Sequence, residues 1–294
     1  MSVLVCENLT KKIKNKEYVK NFSYNFLENQ IYTIIEKNDE SIHHLLNILT
    51  DREKANEGNV WVDGENIEDN KQMVERICYI SENMTFPNSF KIKAIFDMMN
   101  KTYPKWDYSF AFELSKHFNI DFNTYYAKLK VSQKSILNGI IALAAKANIT
   151  IMANPLKDAG IKERYDYFNF LYKQHQQYPR TYIISTTFID EISYLTNKVL
   201  FLDNGRLFAH FSIEEMKNNF RYLSGKTEVL KSLINGVKII GVEERDKILT
   251  VCIRQKLSKD EIRKYQKYLI QISEVPIYNI FNYLINLREL KERL

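Results

Sequence analysis

The sequence predicts an α/β protein with a mostly parallel sheet, a helical insert and a small α+β domain at its carboxyl-terminal end. Between residues 149 and 196, short apolar runs alternate with amphipathic stretches, which is the pattern of strands and helices in a parallel sheet. Residues 91–147 favour helix almost throughout. A shorter set of strand and helix patterns follows residue 220.

The segment before the insert carries several strand patterns and one clear helix. The helix is indicated by Ile42, Leu45, Leu46 and Leu49, which repeat at the spacing of one helical face. Residues 31–35, just before it, form a short apolar run that is typical of a buried strand. Strands are predicted at residues 3–9, 21–27, 31–35, 59–62 and 76–80.

The insert and the segment after it are predicted in the same way. Helices are expected at residues 92–99, 107–118, 132–147, 162–177 and 188–196, with strands at 149–152 and 181–185. Asn204 and Gly205 lie between two apolar runs, 198–203 and 206–211, and this dipeptide is a strong signal for a hairpin turn. Ser212 and Glu215 form a capping box, which predicts the start of another helix.

A break near residues 221–226 is predicted to divide the chain into two domains. The first, residues 1–220, is the α/β domain with its insert at about 91–147, and the second, residues 221–294, is the small α+β domain. In the second domain, strands are expected at residues 238–242 and 248–254, and helices at 260–271 and 277–288.

The net charge of +6 is concentrated in the small domain. Residues 1–219 carry 27 basic and 27 acidic side chains, whereas residues 220–294 carry 15 and 9. We interpret the excess as a solvated surface, because no block of five like charges occurs. We expect no nucleic acid as a partner, since no RNA-binding motif occurs and Tyr222, Tyr265 and Tyr268 fit a helical core with Leu269.

Several features lead us to expect a cytoplasmic protein. No apolar run approaches the roughly 20 residues of a membrane-spanning helix, and no secretory signal opens the chain. Cys6, Cys78 and Cys252 are far apart and lack the spacing of metal ligands, so we expect reduced thiols and no metal site.

Four stretches together carry a family resemblance. They are VLVCENLTKKI, GNVWVDGENI, RICYISENM and TYIISTTFIDEISYLTNKVLFLDNGRLFAHFSIEEM, and their order along the chain matters as much as their letters. In this order, the chain resembles the ATP-binding cassette subunit of an ABC transporter, of the bacterial exporter type. The resemblance covers almost the whole chain and implies a P-loop NTPase-like cassette with a helical subdomain.

The motif that binds phosphate in this family is altered here. The family pattern is G-x-x-G-x-G-K-[ST]-[ST], and the matching positions are Glu36, Lys37, Asn38, Asp39, Glu40, Ser41, Ile42, His43 and His44. No glycine remains to bring the backbone close to a phosphate, Ile42 replaces the lysine, and His43 replaces the magnesium-binding hydroxyl. We therefore expect side chains of the protein to occupy the phosphate position, with Asp39, Glu40 or Ser41 capping the helix. His43 and His44 are adjacent and so do not share a helix face for a metal.

The other motifs of the resemblance are altered as well. Ala153 and Asn154 stand where the family has the aspartate that orders magnesium and the glutamate that activates water. Thr187 replaces the switch histidine, and Ile13 replaces the aromatic residue that stacks on adenine. Lys130 and Ser132 lie in an altered signature motif, while Glu82 at the Q-loop position is the best retained of these sites.

The resemblance implies a degenerate cassette subunit with a structural or regulatory role. We expect it to pair with a second, competent cassette that binds ATP and magnesium, to bind no cofactor itself, and to lie on the inner face of the cell membrane through a membrane-spanning permease. Partner contacts are expected from a groove beside the insert, although insert core is an equal alternative for many of its residues: Glu82, Phe86, Phe90, Phe96, Met99 and Trp106.

Two alternatives remain open at this stage. The chain is then either a weakly active ATPase that uses non-standard residues, or a free-standing regulator or scaffold that kept the fold. For the first, bases would come from Glu36, Glu40, Glu82 or Asp158, and cations from Lys37 or Lys130. The subtype resembles exporters of peptides, peptide antibiotics and amphipathic toxins.

Overall fold

A computed structural model describes residues 2–37, 39–68 and 70–292. The chain divides into two compact units, Met1–His210 and Phe211–Leu294. This division falls ten residues before the predicted position, because the helix that follows the last hairpin packs with the second unit. Among the described residues, no helix combines the length and the apolar character that crossing a membrane requires.

The first unit contains two sheets. In chain order its elements are β1 (Ser2–Ile13), β2 (Lys16–Leu27), β3 (Ile31–Glu36), α1 (Asp39–Ile48), β4 (Glu57–Val62), β5 (Glu65–Asn66), α2 (Lys71–Val74), β6 (Ile77–Ser81), α3 (Ile92–Thr102), α4 (Tyr108–His117), α5 (Val131–Ala144), β7 (Ile149–Ala153), α6 (Ile161–Gln177), β8 (Thr181–Ser185), α7 (Ile189–Ile192), β9 (Lys198–Asp203) and β10 (Arg206–Ser212).

The larger sheet forms the centre of this unit. Its strand order is β10-β9-β3-β8-β7-β6, and the pairs from β6 through β7, β8 and β3 to β9 are parallel. Strands β3, β7 and β8 are buried along their whole length, as expected for strands with covered faces. The smaller sheet has the order β2-β1-β4-β5 and is antiparallel. This arrangement confirms the predicted α/β class.

Several elements of the first unit differ in extent from the sequence prediction, among them β2 and α7. Strand β2 begins at Lys16 rather than at residue 21, because pairing with β1 through several bulges extends a polar segment. The helix predicted at residues 188–196 is only Ile189–Ile192, followed by turns. A single turn of helix is enough to bury the two isoleucines of this segment, Ile189 and Ile192.

The second unit is a four-stranded sheet with helices. Its strand order is β12-β13-β11-β14, and the described pairings are antiparallel. After the capping box of Ser212 and Glu215, which is confirmed, its elements are α8 (Ile213–Asn219), β11 (Phe220–Lys226), α9 (Thr227–Leu233), β12 (Ile239–Arg245), β13 (Ile248–Arg254), α10 (Lys259–Lys267), β14 (Gln271–Ser273) and α11 (Ile277–Glu292).

The predicted break at residues 221–226 was wrong, since this segment is β11, an inner strand of the sheet. Pairing with β13 on one side and β14 on the other makes this segment a strand. Helix α10 ends at Lys267, before the predicted residue 271. Tyr265 is therefore core, while Tyr268 and Leu269 lie beyond the helix, 50% and 89% exposed.

Gly205, in the hairpin between β9 and β10, has a backbone position that excludes a larger side chain. Its φ is +76°, and a Cβ atom would overlap the carbonyl oxygen of Tyr18 in β2. We expect Gly205→Ala to lower the free energy of unfolding by about 2 kcal/mol, from the left-handed backbone together with the steric overlap. Denaturant unfolding measures this effect.

Gly64 provides the matched control for this substitution. Its φ is +86°, and a Cβ atom there would meet nothing within 4 Å. Gly64→Ala should therefore carry only the backbone cost, about 1 kcal/mol. Equal costs at both glycines would show that β2 moves away from the hairpin without resistance.

Candidate functional site

Three of the altered or retained motif positions, Glu82, Ala153 and Asn154, lie together at one edge of the central sheet. Strands β6, β7 and β8 end side by side, with Ser81 opposite Ala153 and Ala153 opposite Ser185. Glu82 donates its backbone N–H to the carbonyl oxygen of Ala153 at 3.2 Å, and Asn154 donates to Ser185 at 2.9 Å. This is the carboxyl-terminal edge of the parallel strands, where ligands bind in open α/β sheets.

At the junction of β3 and α1, the side chains of Glu36, Ser41 and Ile42 are buried. Ile42, at the position of the phosphate-binding lysine, is 5% exposed and belongs to the main hydrophobic core. Ser41 is buried beside it, and Glu36 is buried and accepts a hydrogen bond from the Gly205 N–H at 3.2 Å. Asn38 lies outside the described residues, as does the side chain of Asp39, so the capping expectation for Asp39 stays a prediction.

Side chains of β2 cover the first turns of α1. The ammonium of Lys16 lies 2.6 Å from Glu40 Oε2. The hydrogen bond between these two side chains lowers the pKa of Glu40 and raises the pKa of Lys16. The rings of Tyr18 and His44 pack in a tilted arrangement, 4.4 Å apart between centroids. Ile13, at the adenine position, lies at the end of β1 in the same hairpin and is 39% exposed.

A second ion pair extends this contact deeper along the helix. His44 Nδ1 lies 2.7 Å from Glu53 Oε2 and Lys11 Nζ lies 3.0 Å from Glu53 Oε1. Burial raises the pKa of Glu53, but the hydrogen bonds from His44 and Lys11 outweigh burial, so that the pKa is lowered. His43 is half-buried, with its ring 6.3 Å from that of His44. The two histidines therefore have separate surroundings.

A lysine of this chain occupies the position next to the retained Q-loop residue. Lys157 Nζ lies 3.0 Å from Glu82 Oε2. Lys157 follows Ala153 and Asn154 in the chain, and its backbone N–H donates to the Asn154 carbonyl oxygen at 3.3 Å. The sequence resemblance implies a magnesium-binding aspartate at the position of Ala153. Here an ammonium group supplies positive charge at the same edge of the sheet.

The signature motif lies at the start of α5, and a side chain of this helix caps that start. Gln133 Oε1 accepts a hydrogen bond from the Lys130 N–H at 3.1 Å. Such a bond satisfies one of the backbone donors that a helix otherwise offers to an anion. Val131 is 65% exposed, and Ser132 is half-buried. The exposed side chains of the signature position are therefore the charged Lys130 and the apolar Val131.

The switch segment is tied to the loop after β7. Thr187 is exposed, and the N–H of Phe188 donates to Thr186 Oγ1 at 3.0 Å. Arg164 of α6 donates two hydrogen bonds to Glu191, at 2.8 and 2.7 Å, and a third to the Ala159 carbonyl oxygen at 2.8 Å. Arg164 thus connects the two loops.

These residues do not fit a bound magnesium–ATP complex. A cradle of glycine backbone and a lysine would hold the phosphates, but this position carries the buried carboxylate of Glu36 and the core side chain of Ile42. The methyl group of Ala153 has no oxygen for magnesium. Within the described residues, no group of three or more His, Cys, Asp or Glu side chains is placed to hold a metal ion.

The structure corrects most of the expected partner contacts. Four of those side chains are at most 8% exposed: Phe86, Phe96, Met99 and Trp106. They are buried because the aromatic rings of the insert pack on each other, with Phe96 5.5 Å from Trp106 and Phe86 5.6 Å from Tyr126 between centroids. Glu82 and Phe90 are half-buried, in a loop that is otherwise largely exposed.

Sequence reasoning missed the residues that fill the site from elsewhere. Lys16 and Tyr18 of β2, Lys157 and Arg164 were not among the expected site residues. Lys157 offered a signal, because a lysine shortly after Ala153 and Asn154, which replace two acidic residues of the family pattern, is a candidate replacement for a cation. Lys16 offered none, since its pairing with Glu40 depends on how the β1–β2 hairpin lies over α1.

Comparison with known proteins identifies the fold. No protein-family model matches the chain. The chain is 20% identical over 212 residues to the ABC transporter ATP-binding protein YtrB of Bacillus subtilis (strain 168), covering 72% of this chain and 73% of that protein. An ATP-binding subunit of an ABC transporter superposes with a TM-score of 0.66 at 12% identity, covering 74% of this chain and 92% of the other.

A dimeric cassette gives a similar result. This ATP-binding cassette, in a post-hydrolysis state with ADP and phosphate, has a TM-score of 0.62 at 18% identity, and the match covers 71% of this chain and 98% of the other. The predicted ATP-binding cassette fold is therefore confirmed.

Proposed function

We propose that this chain is a cassette subunit of an ABC transporter that does not itself bind ATP and serves a structural or regulatory role. One observation carries the proposal: the phosphate-loop position is filled from within the chain. Ile42 lies in the core, Glu36 is buried, and Lys16 holds Glu40 across the start of α1. An incoming phosphate would meet carboxylates and an apolar side chain there, which repel or cannot bind it.

The alternative of a weakly active ATPase lacks support from the placement of the candidate bases. Glu36 is buried against Gly205, and Glu40 and Glu82 each hold a lysine. Catalysis of phosphoryl transfer depends mainly on preorganised groups that stabilise the charge of the transferring phosphoryl. At this edge of the sheet, those groups are replaced by ion pairs between side chains of the chain itself.

We further propose a heteromer with a competent cassette and a membrane-spanning permease. In the family, the signature and the loop after Walker B face the partner cassette, and the dimeric relative binds ADP and phosphate. In this chain Val131 and Ile161, at the first residues of α5 and α6, are 65% and 74% exposed. Exposed apolar side chains suit contact with another protein better than contact with a phosphate.

The permease contact is assigned to the loop at residues 82–91, whose half-buried members are Glu82, Met84 and Phe90. Through that contact the chain would lie on the inner face of the membrane. The resemblance of the subtype points to export of peptides, peptide antibiotics or amphipathic toxins as the transported class.

Titration calorimetry with magnesium–ATP tests the central part of the proposal. We expect the purified chain to give no saturable heat, which corresponds to a dissociation constant weaker than about 1 mM. A competent cassette measured in the same buffer is the positive control. Micromolar binding of magnesium–ATP would instead support the weakly active alternative, provided that substitutions at Glu36, Glu82 and Asn154 abolish this binding.

Purification of a tagged chain from detergent-solubilised native membranes tests the partners. We expect one membrane-spanning protein and a second cassette with intact phosphate-binding motifs to be recovered with it. Recovery of the chain without any membrane protein would instead support the free-standing regulator.

A further inference from the structure

A cleft of about 520 Å³ lies at the opposite edge of the central sheet from the altered motifs. Its walls include Asn29 before β3, Asn148 before β7 and Thr181 at the start of β8. These are the amino-terminal ends of the strands. The volume lies within the range of small-molecule sites, roughly 300–1,000 Å³. The cleft is therefore separate from the site described above.

Arg180, in the wall of this cleft, carries a charge that the described residues leave largely uncompensated. It is 9% exposed, and its Nη2 donates to Gln174 Oε1 at 2.8 Å. Its Nε and Nη1 atoms are buried without a hydrogen-bond partner among the described residues. No described carboxylate lies within ion-pair distance of it. Its other partner is the ring of Tyr182, whose centroid lies 5.5 Å from the guanidinium. A buried guanidinium that has only an amide and a ring as partners is costly unless an anion accompanies it.

Lys105, whose side chain is exposed, adds a second cation. It lines the cleft, and its ammonium donates to Asn148 Oδ1 at 3.0 Å, again a neutral amide. Lys146 also lines the cleft but is paired with Asp107 at 2.6 Å. Its ammonium lies 5.5 Å from the centroid of the Tyr178 ring, which is 62% exposed and forms another part of the wall.

The acidic side chains of the cleft do not cancel these two cations. Asp63 forms an ion pair with Arg76, and Glu28 has its own interaction within the chain. An adjoining cleft of about 310 Å³ shares Lys105, Lys146 and Asn148 with the first. Lys105 thus stands where the two clefts meet, accessible from both.

We propose that this cleft binds a small soluble molecule that carries a phosphate group. Lys105 and Arg180 supply the positive charge, side-chain amides of the wall supply neutral donors, and the ring of Tyr178 forms an apolar wall. Lysine and arginine are the side chains that bind phosphate most strongly, because hydrogen bonds from charged donors are short and strong. This assignment does not depend on the role of the altered motifs.

Titration calorimetry of the full chain with inorganic phosphate and with pyrophosphate, at low ionic strength, tests the proposal. We expect saturable binding of pyrophosphate that Lys105→Ala weakens about tenfold or more, the value of a hydrogen bond between charged groups. Lys157→Ala is the matched control, since it removes one lysine from the altered motif edge. It should change the affinity less than about twofold, because Lys157 lies at the other end of the strands.

His175 provides an independent readout inside the protein. Its Nδ1 accepts a hydrogen bond from the Arg180 N–H at 3.4 Å. Burial lowers the pKa of His175, and the charge of Arg180 lowers it further. A bound anion offsets that charge, so the pKa of His175 followed by NMR should rise when pyrophosphate is added. This rise should be lost in Lys105→Ala and kept in Lys157→Ala.

The outcomes separate this proposal from the proposed function. Absence of binding to the wild-type chain, or equal weakening by both lysine substitutions, would overturn the phosphate cleft and leave the altered motifs unaffected. Loss of binding in Lys157→Ala alone would place the anion at the motif edge and contradict both proposals. Thermal unfolding of each variant checks that affinity changes do not reflect misfolding.

Discussion

Replacing Phe96 with alanine is expected to lower the free energy of unfolding of the first unit by about 3–5 kcal/mol. The Phe96 side chain is fully buried, and its ring packs edge-on or tilted against Trp106, Tyr108 and Phe122 at 5.2–6.4 Å between centroids. Removing it leaves a cavity among rigid aromatic rings that cannot easily collapse. Denaturant unfolding followed by tryptophan fluorescence measures the loss, with Trp106 as a reporter next to the cavity.

Phe90→Ala is the matched control in the same part of the chain. Phe90 is only half-buried, so its truncation should cost less than about 1.5 kcal/mol. Under the proposed function, it should nevertheless reduce the recovery of the membrane-spanning partner more than Phe96→Ala does at a temperature where both variants are folded. If Phe96→Ala abolished recovery without loss of stability, the assignment of Phe96 to the core would be wrong.

The insert shows where prediction from sequence reached its limit. Its helices were predicted because apolar residues recur at helical spacing. The same spacing serves a face packed on the insert and a face offered to a partner, so both interpretations stayed open for Phe86, Phe96, Met99 and Trp106. Only the packing of α3 on α4 and on the loop around Phe122 distinguishes them, and those contacts are not local in the chain.

The candidate site shows the same limit from another side. The positions that lost their usual residues were predicted individually, from the order of motifs in the family that the chain resembles. Glu36, Glu82, Ala153 and Asn154 meet at one edge because β3, β8, β7 and β6 are parallel neighbours in the sheet. What now fills that edge was not predicted, since Lys16 and Lys157 reach Glu40 and Glu82 across distant parts of the chain.

The ion pairs at this edge also give the altered site a physical role. Lys157 with Glu82 and Arg164 with Glu191 connect the loops at this edge through side chains of the chain. Under the proposed function, these ion pairs keep one arrangement of the loops without a bound nucleotide.

Replacing Glu191 with alanine is expected to cost about 3 kcal/mol, because it leaves the guanidinium of Arg164 without its carboxylate. The side chain of Arg164 is 9% exposed and that of Glu191 is 35% exposed. The guanidinium also lies 4.2 Å from the ring centroid of Phe188, so it cannot turn toward water without losing that contact. We place the cost at the lower end of the range for buried pairs, since water reaches Glu191.

Arg164→Met should cost less, about 1–2 kcal/mol, although it removes more hydrogen bonds. Methionine fills much of the same volume, and the carboxylate left behind reaches water. The double variant Arg164→Met/Glu191→Ala should then be more stable than Glu191→Ala alone, because no buried cation remains. A double variant less stable than either single one would mean that the pair acts by packing rather than by charge. We therefore expect Glu191→Ala to be the least stable variant, the double variant to be intermediate, and Arg164→Met to be the most stable. This order measures how far this edge of the sheet relies on side-chain charges.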